Sequence, residues 1–460
     1  MRGTRKDGIE LRDIPFHQDF VWGAATASYQ IEGAAREDGR GESVWDRFCR
    51  TPGKVRNGDT GDIACDHYHR YRDDIALMRE LNLKAYRFSV AWPRVLPEGR
   101  GRINEKGLDF YDRLVDSLLE AGIEPYATLY HWDLPQVLED EGGWPVRGTI
   151  DAFAEFSEAV ARRLGDRVRH WITHNEPWCA AWLGYGLGEH APGRRSRRDA
   201  LAACHNLLLS HGRAVEILRA ECPEAEVGIT LNPEQVYAAS DSPADVAAAR
   251  SVDGFKNRWF LDPLFHGTYP SDMIEEFGED VPTVLDGDMD LISAPIDLLG
   301  VNTYSRALIE ADPETGRPIH VRPMASLYTH MGWEVYPDGL EDLLVRLHED
   351  YGPKQLYVTE NGSSYTDVLT HDRKVLDPER TEYLQAHIEA CARAIARGAP
   401  LSGYFAWSLL DNFEWAFGYQ MRFGIVYVDY PSLERVPKAS ARWYASFIRS
   451  QSEMPASRTA

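Results

Sequence analysis

The chain has 460 residues, 43% of them hydrophobic and 27% charged, which supplies a large core and excludes a disordered chain. Its formal net charge of −22 opposes a phosphate backbone or an anionic bilayer, so neither nucleic acid nor a membrane surface is an expected partner. No apolar run approaches the roughly eighteen residues of a spanning helix, and the opening stretch MRGTRKDGIELRD lacks the apolar segment of a signal peptide; a soluble, cytoplasmic protein is expected.

Short β-branched or aromatic runs recur along the chain, separated by amphipathic segments, the alternation that builds a parallel sheet. The predicted strands are Phe20 to Ala24, Ala85 to Val90, Glu124 to Tyr130, His170 to Asn175, Val227 to Leu231, Leu298 to Asn302, Leu356 to Thr359 and Gly403 to Ser408. Between the second and third, Leu108, Tyr111, Leu114, Val115 and Leu118 recur at helical spacing before Gly122 closes the helix. Similar segments span 150–164 and 379–397. Eight strands with helical crossovers predict an α/β fold, a (β/α)8 TIM barrel, as one domain over 14–449 with elaborated βα loops. Residues 1–13 and 450–460 read as flexible tails.

Several segments invite other chemistry and lack its residues. In CDHYHRY, His67 and His69 stand two apart and diverge on a helix that Asp66 is expected to cap, so no metal site is expected. GYGLGEH, Gly184 to His190, does not follow GxGxxG and reads as a loop; GRRSRRD, Gly193 to Asp199, reads as a solvated surface loop. Neither GxSxG nor a Walker-type lysine loop occurs, and no cofactor is implied. Six cysteines, scattered without a CxxC pair, suit reduced core thiols.

Two predicted strands climb through apolar residues to a carboxylate. HWITHNEP ends on Glu176 before a proline, and QLYVTEN ends on Glu360 before the flexible-looking run Gly362-Ser363-Ser364. A buried carboxylate at a strand tip is either an ion-pair partner or a site residue, and barrel sites form at the carboxyl ends of strands. Two carboxyls facing each other across a barrel mouth suit glycoside hydrolysis. The neighbouring tips add Gln30, His131, Asn175, Asn302, Tyr304 and Glu414, groups that bind hydroxyls. Trp132, Trp178, Trp333, Trp407 and Trp415 offer flat faces for pyranose rings. Each alone has a structural explanation; their joint placement at one end of the barrel favours a sugar site.

The segments FVWGAATASYQIEGA, YRFSVAWPRVLPEG, YHWDLPQVLED, THNEPW, GVNTYS, GWEVYP, VTENG and WSLLDNFEWAFGYQMRFGIVYVDY together resemble glycoside hydrolase family one, the β-glucosidase family, over about Phe16 to Ile448. The resemblance implies a TIM barrel and a retaining β-glycosidase, with Glu176 as acid/base and Glu360 as the nucleophile. It implies that Gln30, His131, Asn175, Glu414 and Trp415 hold the hydroxyls of the nonreducing sugar. Trp407 would stack under the ring, Trp333 border the aglycone, and Phe423 help line the glycone pocket. Arg87, at the second strand end, is expected to sit near Glu360 and favour its ionised form. The branch acting on phosphorylated sugars replaces the residues at 414 and 415 and uses a nearby lysine; here Glu-Trp is kept and Met421 stands where lysine is frequent, which favours a free sugar. The thioglucosidase branch has glutamine where this chain has Glu176, and relatives often carry phenylalanine at His174.

The implied substrates are terminal β-D-glucosyl residues of oligosaccharides such as cellobiose and of aryl or alkyl glucosides, with β-galactosidase or β-fucosidase side activity. A transglycosylase using the same covalent intermediate and a noncatalytic sugar-binding barrel remain as alternatives. The sequence is compatible with a monomer and with a homo-oligomer.

Overall fold

A computed structural model describes residues 16–453. Eight parallel strands close into a barrel: β1 (Val21–Ala25), β2 (Ala85–Ser89), β3 (Glu124–Tyr130), β4 (His170–Asn175), β5 (Glu226–Leu231), β6 (Leu298–Asn302), β7 (Leu356–Asn361) and β8 (Leu401–Trp407). Each pairs with its neighbours in chain order, and β1 closes the ring against β8, Val21 opposite Gly403 and Ala25 opposite Trp407. The expected (β/α)8 barrel is therefore observed, and the eight predicted strands are its staves to within about two residues at each end. Three strands outside the barrel, Gln235–Ala238, Arg306–Ala311 and Pro318–His320, form a small separate sheet in the loops, and a hairpin pairs Val426–Asp429 with Glu434–Pro437.

Helices wrap the barrel because each carries an apolar stripe. Glu105–Glu120 buries Leu108, Phe110, Tyr111, Leu114, Val115 and Leu118, each such side chain stabilising the packing by about 1.5–3 kcal/mol. The Ser196 hydroxyl accepts from the Asp199 amide and starts Arg197–Glu221, so the expected loop over 193–199 already turns into a helix there. Asp66 precedes His67–Glu80 but does not cap its amides; its carboxylate accepts from His69 and Arg70 instead. The expected loop at Gly184 to His190 is half helical, because a π-helix covers Cys179–Leu187. The final helix runs Ala439–Glu453, so the expected tail from 450 begins inside a helix; 1–13 and 454–460 lie outside the described residues.

The barrel interior changes character along its axis. Near the amino ends of the strands, Tyr126 stacks on His170 at 4.1 Å between ring centroids and packs against Phe405 and Tyr357 at 4.9 and 5.8 Å. Toward the carboxyl ends the filling becomes polar. Thr230 donates to Thr359, Thr359 to Asn302 Oδ1 at 2.7 Å, and Arg87 Nε to Thr128 at 3.2 Å. All six cysteines are buried free thiols, and among the described residues no helix is long and apolar enough to cross a membrane.

Candidate active site

Glu176 and Glu360 leave the barrel where two strands lose their regular register. β4 slips against β5 between Ile172 and Asn175, and β7 slips against β6 between Val358 and Glu360. Such irregularities re-aim side chains, and both carboxyls now border one cavity of about 420 Å³ at the carboxyl end of the barrel. The run after Glu360, expected to be flexible, is packed into the fold: Gly362, Ser363 and Ser364 are buried. Gly362 packs on the chain leaving β8, and a Cβ there would overlap the Trp407 carbonyl oxygen. Three residues at the site hold left-handed backbone without being glycine, Glu176 at φ 46°, Trp132 at 77° and Trp415 at 49°. Strain of this kind persists where the surrounding packing over-determines it.

Each oxygen of Glu360 has its own donor. Arg87 Nη1 donates to Oε1 at 2.7 Å and the Tyr304 hydroxyl to Oε2 at 2.6 Å. Arg87 lies within β2, two residues before its end, and spans the polar layer of the barrel to reach that carboxylate. Its other arm donates to Asn175 Oδ1 at 2.6 Å, and Asn302 Nδ2 donates both to Asn175 Oδ1 at 3.0 Å and to Glu176 Oε1 at 2.6 Å. The two carboxyls are thus tied through three intervening side chains whose amide orientations are fixed by their partners.

Burial raises the Glu360 carboxyl most, Arg87 pulls it down, and the facing Glu176 raises it again, leaving it pushed up to about 7. Arg87 favours the ionised form, as expected, yet burial outweighs it. Glu414 is pushed up to about 8 by burial and by the charges of Glu360 and Glu176, with Gln30 opposing. The residues bordering this cavity place three carboxyls close together, and the site resists carrying all three charges at once.

The expected sugar-binding groups gather in the same place. His131, Trp132, Asn302, Tyr304, Trp333, Trp407, Glu414, Trp415 and Phe423 line the cavity, while Gln30, Asn175 and Arg87 stand behind its wall. Gln30 Nε2 donates to Asn412 Oδ1 and the Phe413 carbonyl at 3.0 and 2.9 Å and reaches Glu414 at 3.4 Å, which leaves its buried Oε1 unpartnered. Burial, then Arg87, hold His131 well below the usual imidazole range, so the ring is neutral. Asn175 Nδ2 donates to its Nε2 at 3.1 Å, which puts the proton on Nδ1, a donor with no protein partner. The His131 ring lies nearly parallel to Trp407 and Trp415, at 6.0 and 5.8 Å between centroids. Trp132 Nε1 fixes the Asn175 carbonyl at 2.9 Å, and Trp333 packs on Tyr304 and Phe423.

Lining residues outside the expected set are Cys179, Glu189, His190, Asn232, Glu234, Lys256, Met331 and Phe417, among others. Asn232 follows β5 by one residue, and the strand-tip rule that found Glu176 reaches it too. Lys256 lies in a π-helix, Gly254–Arg258, and Met331 in a turn before the last helix preceding β7, so neither follows a strand tip.

The sequence profile described as glycosyl hydrolase family 1 matches residues 12–453. The chain is 48% identical over 447 residues to the protein named beta-glucosidase A of Acetivibrio thermocellus, covering 95% of this chain and 99% of that one. It is 47% identical to the bifunctional beta-D-glucosidase/beta-D-fucosidase of Bifidobacterium breve, covering 95% and 99%. Its fold superposes with a TM-score of 0.93 on the Thermotoga maritima beta-glucosidase solved in complex with glucoimidazole, at 47% identity and covering 95% of this chain and 99% of that one. A match running through the whole barrel, with relatives near half identical over almost their full length, makes this chain a glycoside hydrolase that belongs to glycosyl hydrolase family 1.

Proposed function

We propose that the protein is a retaining β-glucosidase that releases terminal β-D-glucosyl residues from small-molecule glycosides, with Glu360 as nucleophile and Glu176 as acid/base. The observation that carries these roles is the asymmetry of the pair: Glu360 receives a guanidinium and a phenol, one on each oxygen, whereas Glu176 receives one amide donor. Donors on both oxygens favour the carboxylate needed for attack.

In the first step a Glu360 oxygen bonds to the anomeric carbon as the glycosidic bond breaks, and Glu176 gives its proton to the departing oxygen. Esterification removes the Glu360 charge from the pair. Glu176, now a carboxylate, takes a proton from water as that water attacks the anomeric carbon, and Glu360 leaves as a carboxylate. Two inversions return the β-configuration.

His131 Nδ1–H and the Glu414 carboxyl border the cavity as polar groups for sugar hydroxyls, the unpartnered Gln30 Oε1 stands just behind them, and Trp407 and Trp415 are the apolar faces. Side activity on β-fucosides fits the relative named for both activities. Six buried free thiols suit a reducing, cytoplasmic setting. Hydrolysis of p-nitrophenyl β-D-glucoside tests this function: the wild type releases nitrophenol and Glu360→Ala does not, whereas equal release by both removes Glu360 from the chemistry.

A further inference from the structure

The cavity has a second contact group on the Glu176 side. Glu176 is followed, after Pro177, by Trp178 and Cys179, which line the same cavity, and the Cys179 thiol accepts from Asn232 Nδ2 at 3.3 Å. The Lys256 ammonium sits 3.5 Å above the Trp178 ring centroid. This is the side on which Glu176 protonates the leaving oxygen in the proposed mechanism, so it receives the leaving group.

Lys256 stands out chemically. It is the one lysine or arginine among the residues lining the cavity, where Glu176, Glu189, Glu234, Glu360 and Glu414 supply the carboxyls. Half-buried, it nonetheless has no ion-pair partner among the described residues, and its ammonium rests on the indole face. Its base is rigid. The adjacent Asn257 is buried, accepts from the Glu234 amide at 3.0 Å, and donates to the Glu234 carbonyl at 2.8 Å and to Asp253 at 2.7 Å. A cation held within the π-helix Gly254–Arg258, against a flat apolar face and without a counter-ion, is a preorganised site for an anion carried on an aromatic or apolar body.

We infer that Lys256 makes the leaving-group side of the cavity a subsite for anionic aglycones, carboxylate-bearing phenols above all, and that it sets the enzyme's tolerance of leaving-group charge. The inference rests on the β-glucosidase reading. Without Lys256 the charged residues lining the cavity are all carboxyls, Glu176, Glu189, Glu234, Glu360 and Glu414, and an entering carboxylate meets only like charge.

The test compares kcat/KM for 4-carboxyphenyl and 4-carbamoylphenyl β-D-glucosides in the wild type, Lys256→Met and Lys256→Arg. Differences in leaving-group chemistry cancel, since each enzyme sees the same pair. The expected result is a fall of about tenfold in the charged-to-neutral ratio for Lys256→Met, retention of the ratio in Lys256→Arg, and a wild-type ratio that drops at high salt. An unchanged ratio in Lys256→Met, with the wild type active on both glucosides, overturns this inference and leaves the β-glucosidase reading standing. A loss in Lys256→Met that is equal for the two substrates overturns it as well. A wild type inert toward both glucosides overturns the β-glucosidase reading and this inference with it.

Discussion

Arg87 and Glu360 form a fully buried ion pair at 2.7 Å, and the second arm of the same guanidinium holds Asn175 Oδ1 at 2.6 Å. One side chain from inside the barrel therefore positions the proposed nucleophile and the residue immediately before the proposed acid/base. Asn302 completes the link to Glu176.

Replacing Tyr304 with phenylalanine removes the donor on Glu360 Oε2 and leaves the ring in place. That hydrogen bond favours the ionised carboxyl, so its loss raises a group already near 7. The acidic limb of the kcat/KM profile is expected to move to higher pH, with a rate loss of about ten- to a hundredfold on its acid side, the worth of a hydrogen bond to a charged group. A profile that keeps its acidic limb removes Tyr304 from control of Glu360.

Glu176→Ala separates acid catalysis from attack. Alkyl glucosides and cellobiose, whose leaving oxygens need a proton, should lose about 10² to 10⁴ in rate, while activated nitrophenyl glucosides lose less in the first step. Steady-state and burst kinetics on both substrate types check this; equal losses contradict the acid role.

Glu414 and Glu360 also affect stability. Both have folded-state values raised above the roughly 4.3 of a free glutamate, to about 8 and about 7. Their protonated forms favour the folded state, so this contribution is fully present below about pH 4.3 and is lost as pH rises through 7 to 8. Glu414→Gln removes one of the two, and its melting temperature should exceed that of the wild type at pH 8 and match it at pH 4.5. The same change should weaken kcat/KM, since the carboxyl proposed to hold sugar hydroxyls is replaced by an amide.

The loop that carries Glu414, Trp415 and Phe423 is tied down by a buried ionic cluster. Lys438 Nζ lies 2.5 Å from Asp367 and 2.7 Å from Asp411, Arg380 holds Asp367 and Asp377, and Arg422 holds Asp411 at 2.6 Å. Lys438→Met leaves two buried carboxylates short of a partner and is expected to cost about 3–5 kcal/mol, read by thermal or denaturant unfolding. A change within about 0.5 kcal/mol shows that the cluster does not stabilise the fold.

Much of this site is legible in the sequence because a barrel converts a one-dimensional regularity into a place. Once His170 to Asn175 and Leu356 to Thr359 are recognised as staves, Glu176 and Glu360 follow at their carboxyl ends, and the same rule collects His131, Asn302 and Tyr304. The π-helix over Cys179–Leu187 escapes, since it has neither the 3.6-residue stripe nor a capping residue. Gly362-Ser363-Ser364 has loop composition but is buried, because its neighbours come from Trp407 and Met421, far along the chain. Arg87 is foreseen near Glu360, whereas the net position of that carboxyl depends on burial, which no local pattern encodes. Lys256 lies in the helical connection between β5 and β6 and meets Trp178 only in three dimensions.

The most direct test of the assigned roles is chemical rescue by azide, with the product configuration read by NMR. With an activated β-glucoside, Glu360→Ala and azide should give the α-glucosyl azide, since azide replaces the nucleophile in a single inversion. Glu176→Ala and azide should give the β-glucosyl azide, since azide then attacks the covalent intermediate. The opposite pairing of configurations would contradict the account, because it would make Glu176 the nucleophile.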